Sequence, residues 1–141
     1  MKLNISLLNV QPMSLNQAYS TNKRTNRRFK SKQYTQFTSI IGGQLRNYKG
    51  QITKFNNKYS IEDHYIVATY RFYYPIFVKA GNKISKTSKD LSNSIKTLED
   101  ILFSQLIADD SQVINLNVTK IHSQDIRIEV ELELKNIKHI L

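Results

Sequence analysis

Apolar and polar side chains alternate in two stretches near the ends of the chain, and in the second of them the alternation is strict. Over residues 2–9, Leu3, Ile5 and Leu7 are separated by polar side chains. Over residues 126–134, aliphatic residues at even positions are separated by arginine or glutamate. A period of two is typical of a strand that buries one face. We therefore predict a strand at each place, and we expect the glutamates of the second to form a solvated sheet face.

Two further stretches favour strands by their composition. Residues 65–77 are rich in β-branched and aromatic side chains, and Pro75 should end that strand. Residues 113–121 are apolar, with asparagine and threonine interspersed. The connection 122–125 is short enough for a hairpin, so we predict that strand 113–121 pairs antiparallel with strand 126–134.

Apolar residues recur at helical spacing in two other stretches. The first covers about 31–48, although Gly42 and Gly43 weaken it, since each glycine costs about 1 kcal/mol relative to alanine. Gly50 should end this helix. The second helix follows Asp90 and should bury one stripe of aliphatic residues, namely Leu91, Ile95, Leu98, Leu102 and Leu106. The whole pattern predicts an α+β fold with a small mixed sheet and two main helices.

Length and composition narrow the class of protein. A chain of 141 residues is most simply a single domain, here 1–141. Cysteine is absent, which excludes disulfides and thiolate zinc sites, and the three histidines show no ligand spacing. No apolar run approaches the roughly 20 residues of a membrane span. The N-terminus has the pattern of a strand and not of a signal peptide. We expect a cytoplasmic protein without a membrane partner or a small-molecule cofactor.

Positive charge is concentrated in the first part of the chain. Eleven basic residues precede the first acid, Glu62, so residues 1–61 carry a formal charge of +11. The other ten basic residues share 62–141 with all eleven acids, which leaves −1 there. A solvated face is the ordinary explanation of a charge run, but a tract of this length without an acid favours a polyanionic partner. Nucleic acid is the leading candidate, because counterion release drives its association with cations.

One segment, 89–113, combines acids with a lysine. Asp90 begins the predicted second helix, Lys96 follows it, and Asp109 and Asp110 lie past the helix end. Each has an ordinary explanation, since aspartate is a preferred N-cap and Asp-Asp-Ser suits a polar turn. Their joint spacing in a basic chain instead indicates metal-assisted chemistry on a phosphodiester. The sequence leaves open whether Asp90 and Asp110 meet within one chain or across two.

Four polar residues of the same helix lie on one side of it and off the aliphatic stripe. They are Ser92, Lys96, Glu99 and Asp100. This side of the helix is therefore the place where acids and lysine can act together.

These residues resemble the RusA family of Holliday-junction resolvases. The family pattern is Asp-x-Asp-Asn-x-x-Lys, an Asp four residues later, and Asp-Asp about ten residues further on, before a hydrophobic strand. The matching residues are Asp90, Asn93, Lys96, Asp100, Asp109 and Asp110. The N-terminal loop is similar to the family's Pro-x-Ser-x-Asn-x-x-Tyr, here Pro12, Ser14, Asn16 and Tyr19, followed by a basic segment. The resemblance extends from Leu3 to about residue 134.

The resemblance implies a compact dimeric nuclease of phage or prophage type that cuts four-way DNA junctions with Mg²⁺, for which Mn²⁺ is a possible substitute. Asp90 and Asp110 would be metal ligands, Asp109 a supporting acid, and Lys96 a stabiliser of the phosphate or leaving group. Carboxylate oxygens suit Mg²⁺, which keeps several waters and bridges to substrate phosphate. The implied function is repair or recombination of branched DNA by a homodimer.

One position departs from the family pattern. Ser92 stands where the family has its second aspartate, and a serine hydroxyl is a neutral, weaker ligand. Glu99 could supply the missing carboxylate as a metal ligand, or Asp100 could do so. Alternatively, the protein is an attenuated relative that mainly binds branched DNA. The choice between these explanations is open at the level of sequence.

DNA contacts are expected from two basic segments that flank the acids and from one loop residue. The basic loop 11–32 and the loop after Pro75 would supply phosphate contacts, which give affinity without base specificity. The predicted contacts are Asn16, Lys23, Arg24, Arg27, Arg28, Lys30, Lys32, Lys79, Lys83, Lys86 and Lys89. A weaker alternative is a general binder of single strands that uses the eight tyrosines, but most of these lie in 65–77, where core packing is their expected role.

Overall fold

The computed structural model describes residues 1–86 and 90–141. Strands and helices follow one another in this order: β1 (Lys2–Leu8), α1 (Leu15–Ala18), β2 (Tyr19–Thr21), β3 (Arg28–Lys30), α2 (Lys32–Leu45), α3 (Lys49–Lys58), β4 (His64–Tyr74), α4 (Leu91–Phe103), β5 (Val113–His122) and β6 (Arg127–Asn136). The α+β class is confirmed. None of the helices within the described ranges is long and apolar enough to cross a membrane.

The main sheet has four strands in the order β1-β6-β4-β5. Strand β6 pairs antiparallel with both β1 and β4, and β5 pairs parallel with β4, so the sheet is mixed as predicted. The alternation is confirmed, since Leu3, Ile5 and Leu7 of β1 and the aliphatic residues of β6 are buried while the polar residues between them are not. Leu8, at the end of β1, is exposed. Helix α4 connects β4 to β5 as the crossover that a parallel pair requires.

The predicted hairpin between the last two strands was wrong, because β4 lies between β5 and β6. A short connection limits the distance between strand ends but does not require them to be neighbours. Two strand spacings amount to about 10 Å, which four residues at about 3.3 Å each can span. The connection passes the end of β4, where the Ser123 amide donates to the Tyr74 carbonyl at 3.2 Å. The central position suits β4, whose residues Tyr70 and Phe72 are fully buried.

The described residues contain three main helices, so the prediction of two was wrong. Gly50 does not end a helix; it is the second residue of α3, which follows a short 3₁₀ turn at residues 46–48. A glycine in a helix costs about 1 kcal/mol, whereas burying a phenylalanine side chain gains about 1.5–3 kcal/mol. Ile52 and Phe55 of α3 are buried, which explains why packing outweighs the local preference of Gly50.

Helix α4 begins after Asp90 as predicted, but its buried face is broader than the aliphatic stripe. Leu98 and Leu102 are buried, whereas Leu91, Ile95 and Leu106 are only partly buried. The face also includes Ser94, Thr97 and Ile101. The Thr97 hydroxyl donates to the Met13 carbonyl at 2.7 Å, and the Ser94 hydroxyl donates to the Asp90 carbonyl at 2.8 Å. These hydrogen bonds satisfy the buried hydroxyls and attach α4 to the segment before α1.

The glutamates of β6 are half-buried and paired, so the expected solvated face was only partly right. Glu129 accepts hydrogen bonds from Arg71, Arg127 and Tyr73 at 3.1–3.3 Å. Although burial opposes the effect, these donors lower the pKa of Glu129. The Arg127 guanidinium also lies 3.7 Å from the centre of the Tyr73 ring.

Two side chains close the outer edge of β1. Gln44 accepts from the Leu8 amide at 2.6 Å and donates to the Leu8 carbonyl at 2.7 Å. One helical turn later, the Tyr48 hydroxyl accepts from the Ser6 amide at 3.0 Å and donates to the Ser6 carbonyl at 3.2 Å. Side chains thus occupy the outward backbone groups of Ser6 and Leu8, which would otherwise attract another strand.

Candidate active site

The N-terminus of α4 is fixed by Asp90. Its Oδ1 accepts from the Ser92 amide at 3.2 Å and from the Ser92 hydroxyl at 2.9 Å. The backbone of Asp90 is extended, as an N-cap requires. The ordinary explanation of Asp90 as a helix cap is therefore confirmed, and Ser92 is its direct partner.

Lys96 lies between two aspartates on the exposed side of α4. Its ammonium is 3.0 Å from Asp100 Oδ1, one turn along the helix, and 3.0 Å from Asp110 Oδ2. Asp110 begins the 3₁₀ turn 110–112 that leads directly into β5. Hydrogen bonds to Asp100 and Asp110 raise the pKa of Lys96, so the lysine stays charged. The fold thus brings together three residues of the motif that are separated by up to 14 positions.

Glu99 connects this cluster to the core of the protein. Its Oε2 accepts from the hydroxyl of Tyr70 at 2.7 Å, and Tyr70 is fully buried in β4. Burial raises the pKa of Glu99, and the negative charges of Asp110 and Asp100 act in the same direction, while Tyr70 and Lys96 oppose them. Sequence reasoning did not single out Tyr70. The available signal was that a buried tyrosine hydroxyl needs a polar partner, which here had to come from the helix covering β4.

We expect Glu99→Gln to be more stable, relative to the parent protein, at neutral pH than at acidic pH. The pKa of Glu99 is higher in the folded protein than in the unfolded chain, so the folded protein binds this proton more tightly. The free energy of unfolding of the parent therefore falls as pH rises from the unfolded pKa through the folded pKa. Glutamine removes this titration while its amide oxygen can still accept from Tyr70. Urea unfolding at several pH values measures the effect. A stability difference between variant and parent that does not change with pH would contradict it.

Asp109 takes partners different from those of its neighbour Asp110. It caps the 3₁₀ turn, and its Oδ2 accepts from the Ser111 amide at 3.2 Å. Hydrogen bonds from Ser111 lower the pKa of Asp109. The Asp109 side chain also lines a shallow apolar hollow with Tyr59, Ile61, Ile107 and Gln112. The two consecutive acids therefore have separate roles in the fold: Asp109 shapes the turn, and Asp110 meets Lys96.

The structure brings only part of the predicted site together. Lys96, Asp110 and Glu99 form one cluster, to which Asp100, the sequence's alternative to Glu99, adds a second carboxylate beside Lys96. Asp90 lies six residues before Lys96, about 9 Å along the helix axis. Among residues 1–86 and 90–141, no three histidine, cysteine, aspartate or glutamate side chains form a group that could hold a metal ion. The carboxylate oxygens of these acids are donors that suit Mg²⁺. Two of the carboxylates, those of Asp100 and Asp110, form ion pairs with the ammonium of Lys96.

The basic loop 11–32 is more ordered than its composition suggested. It contains the one-turn helix α1, with Asn16 exposed in it, and a hairpin of β2 and β3. Asn26 has a φ of 53°, and the Arg24 amide donates to Asn22 Oδ1 at 2.9 Å, so asparagines shape the turn. The exposed cations of this loop and its end are Lys23, Arg24, Arg27, Arg28, Lys30 and Lys32.

The second basic segment follows β4 and is also exposed. The Val78 amide donates to the Lys83 carbonyl at 2.8 Å, around a turn in which Gly81 has a φ of 79°. Lys79, Lys83 and Lys86 are exposed along this segment. Lys89, which was also predicted to contact DNA, lies outside the described residues.

Comparison with known proteins identifies the family of the chain. A family model described as "Endodeoxyribonuclease RusA" matches residues 9–133 of the 141-residue chain. A search of curated proteins gives no match. The matched range includes both the hairpin of β2 and β3 and the cluster around Lys96.

Proposed function

Because the chain belongs to the RusA family of endodeoxyribonucleases, we propose that it resolves four-way DNA junctions as a homodimer, by phosphodiester hydrolysis that depends on Mg²⁺ or Mn²⁺. Membership of the family implies Holliday-junction resolvase activity in general. The observation that carries the proposal for this chain is the contact of Lys96 with Asp100 and Asp110 at 3.0 Å each. These three residues match the family motif, and the fold makes them neighbours.

Acids from the start of α4, from its exposed side and from the turn before β5 are the proposed ligands of the metal ion. Asp110 and Asp90 would hold it, with Glu99 or Asp100 in place of the acid that is missing at Ser92. A bound divalent ion lowers the pKa of a coordinated water and neutralises charge on the phosphate. Oxygen donors of this kind are those that Mg²⁺ and Mn²⁺ prefer.

Lys96 is the proposed partner of the scissile phosphate. A charged ammonium is required for that role, and the raised pKa of Lys96 supplies it across the physiological range. Its side chain is 54% exposed, so an incoming phosphate can reach it. Asp109 would act as a positioning residue, because its hydrogen bond with Ser111 shapes the turn that presents Asp110.

The basic segments are the proposed binding surface for the arms of the junction. All of their described cations are exposed, and residues 1–61 contain no acid. Such cations contact phosphates and set orientation, while the acids determine where cleavage occurs. The half-buried glutamates of β6 would lie away from the DNA.

The test is cleavage of a synthetic four-way junction by the purified chain. We expect symmetric nicks in opposite strands with Mg²⁺ or Mn²⁺, none with EDTA, and a dimer by sedimentation. A linear duplex of the same sequence serves as control. Binding to the junction without cleavage in either metal would overturn the proposal of catalysis.

A second candidate, an attenuated protein that binds branched DNA, is favoured by Ser92. The Ser92 hydroxyl donates to Asp90 at 2.9 Å, so the side chain at position 92 supports the Asp90 cap and adds no negative charge. On this hypothesis the parent binds junctions without metal and cuts them poorly. Efficient cleavage by the unmodified protein would exclude it.

We expect Ser92→Asp to lower the metal concentration for half-maximal cleavage by at least about tenfold, since changes around metal ligands alter affinity by about 10- to 100-fold. An acid in the first helical turn is also compatible with the helix dipole. Titration of Mg²⁺ measures the effect, with Ser39→Asp at an exposed position of α2 as the matched control. An unchanged metal requirement would show that position 92 takes no part in metal binding.

A further inference from the structure

Phe29 is an exposed aromatic residue in the middle of the basic hairpin. Its side chain is 51% exposed, and in the β2–β3 pair it lies opposite Ser20. An exposed phenylalanine contributes nothing to the attraction between cations and phosphates. Its place among cations therefore calls for a different explanation.

The neighbouring cations are held on the other face of the hairpin. Side chains alternate along a strand, so Arg28 and Lys30 share the face opposite to Phe29. The Arg28 guanidinium lies 4.1 Å from the centre of the Tyr19 ring, and the Lys30 ammonium lies 5.6 Å from that of Tyr34. Tyr34 is buried, so this face is the one that packs on α2. The ring of Phe29 is thereby presented on the outward face.

The hairpin is anchored at its base, which fixes the position of that ring. The Ser31 amide donates to the Ala18 carbonyl at 2.8 Å, and the Ser31 hydroxyl donates to the Gln17 carbonyl at 2.6 Å. Ser31 also caps α2 by accepting from the Tyr34 amide. A ring on an anchored hairpin binds a flat partner at a lower entropic cost than one on a free loop.

The chemistry around Phe29 identifies the partner. Lys23, Arg24 and Arg27 surround the hairpin turn, so a ligand must combine negative charges with an accessible apolar plane. Continuous duplex DNA offers phosphates but hides the faces of its bases. The branch point of a junction offers both, because bases there can unstack.

We propose that Phe29 stacks on a base exposed at the branch point, and that it thereby favours branched DNA over continuous duplex. This inference rests on the proposed function and adds a residue that selects the substrate. Stacking of one base on an aromatic side chain corresponds to about 5- to 150-fold in affinity. The contribution should apply to the junction and be small for a duplex.

The experiment measures dissociation constants in EDTA for a four-way junction and a matched duplex. We expect Phe29→Ala and Phe29→Leu to weaken junction binding by about 5- to 150-fold and duplex binding by less than about threefold. Ile140→Ala is the control, because Ile140 is similarly exposed at 52% but lies after the last strand. Thermal melts monitored by circular dichroism verify that each variant is folded.

A tryptophan at the same position gives a direct readout, since the chain contains no tryptophan. In Phe29→Trp, junction affinity should be retained and the indole fluorescence quenched by the junction but not by the duplex. Ile140→Trp should not respond to either DNA. Unchanged junction affinity in Phe29→Ala and Phe29→Leu, or equal losses of affinity for junction and duplex in these two variants, would overturn the stacking role. Equal quenching of the Phe29→Trp fluorescence by junction and duplex would overturn it as well. A parent protein that binds no junction would overturn the proposed function as well.

Discussion

Asp110→Asn should reduce cleavage of a four-way junction by more than about 100-fold, the upper end of the effect of altering groups around a metal ion. The substitution preserves shape but removes the charge that Lys96 contacts at 3.0 Å. A neutral amide is also a weaker ligand for a hard divalent cation. Junction affinity in EDTA should persist or increase, because a negative charge near the DNA has been removed. Single-turnover cleavage and fluorescence anisotropy measure the two effects.

The matched control for this substitution is Asp125→Asn. Asp125 is also an aspartate in an ion pair, with Arg127 at 2.8 Å, but it lies in the connection between β5 and β6. The change in net charge is the same, so any difference in cleavage reflects position. Retention of parental cleavage by Asp110→Asn, or an equal loss in both variants, would remove Asp110 from the site.

The triple substitution of Lys23, Arg24 and Arg27 by alanine should weaken junction binding by about 100-fold or more at about 0.1 M salt. Each lost phosphate contact reduces the slope of log K against log salt by about 0.9, so three contacts reduce it by about 2.7. These residues lie in and around the turn of the basic hairpin and are exposed. Titrations at four or more salt concentrations give the slope.

A second triple variant separates local contacts from overall charge. Lys49, Lys54 and Lys58 are exposed on α3, outside the predicted DNA surface. Replacing them by alanine lowers the formal charge by the same three units from +10. The slope of this variant should stay close to that of the parent. Equal reductions in both triple variants would show that the hairpin is not a specific contact surface.

Local sequence patterns were sufficient wherever a residue's structure depends on its near neighbours. The alternation in β1 and β6 and the helix start at Asp90 are both confirmed, since a period of two or a cap is set within a few residues. The order of strands depends on packing between distant segments. The sequence did not reveal that β4 separates β5 from β6, because the length of a connection does not determine which strands are neighbours.

The candidate site likewise combines features set by neighbouring residues with features set by packing between distant segments. The spacing of Asp90, Lys96 and Asp110 indicated a functional segment. That Asp110 turns back to Lys96 depends on how α4 and the start of β5 pack, which the spacing alone does not determine. The Tyr70–Glu99 hydrogen bond joins positions 29 residues apart and has no local signature. In the same way, the sequence of the hairpin that carries Phe29 has no regular pattern of apolar and polar residues that would predict its strands. Hydrogen bonds from Ser31 to Gln17 and Ala18 hold the base of this hairpin.

The side chains that close β1 also limit how copies of the protein can assemble. The other edge of the sheet is β5, which no strand in the described chain pairs on its outer side. Sheets that associate edge to edge need two available edges to grow into a fibre, and on the β1 edge Gln44 and Tyr48 occupy the outward backbone groups of Ser6 and Leu8. Pairing of two copies through β5 would therefore use the remaining edge of each. Such a pair would leave the β1 edge of each copy outermost, where the side chains on Ser6 and Leu8 oppose the addition of another strand.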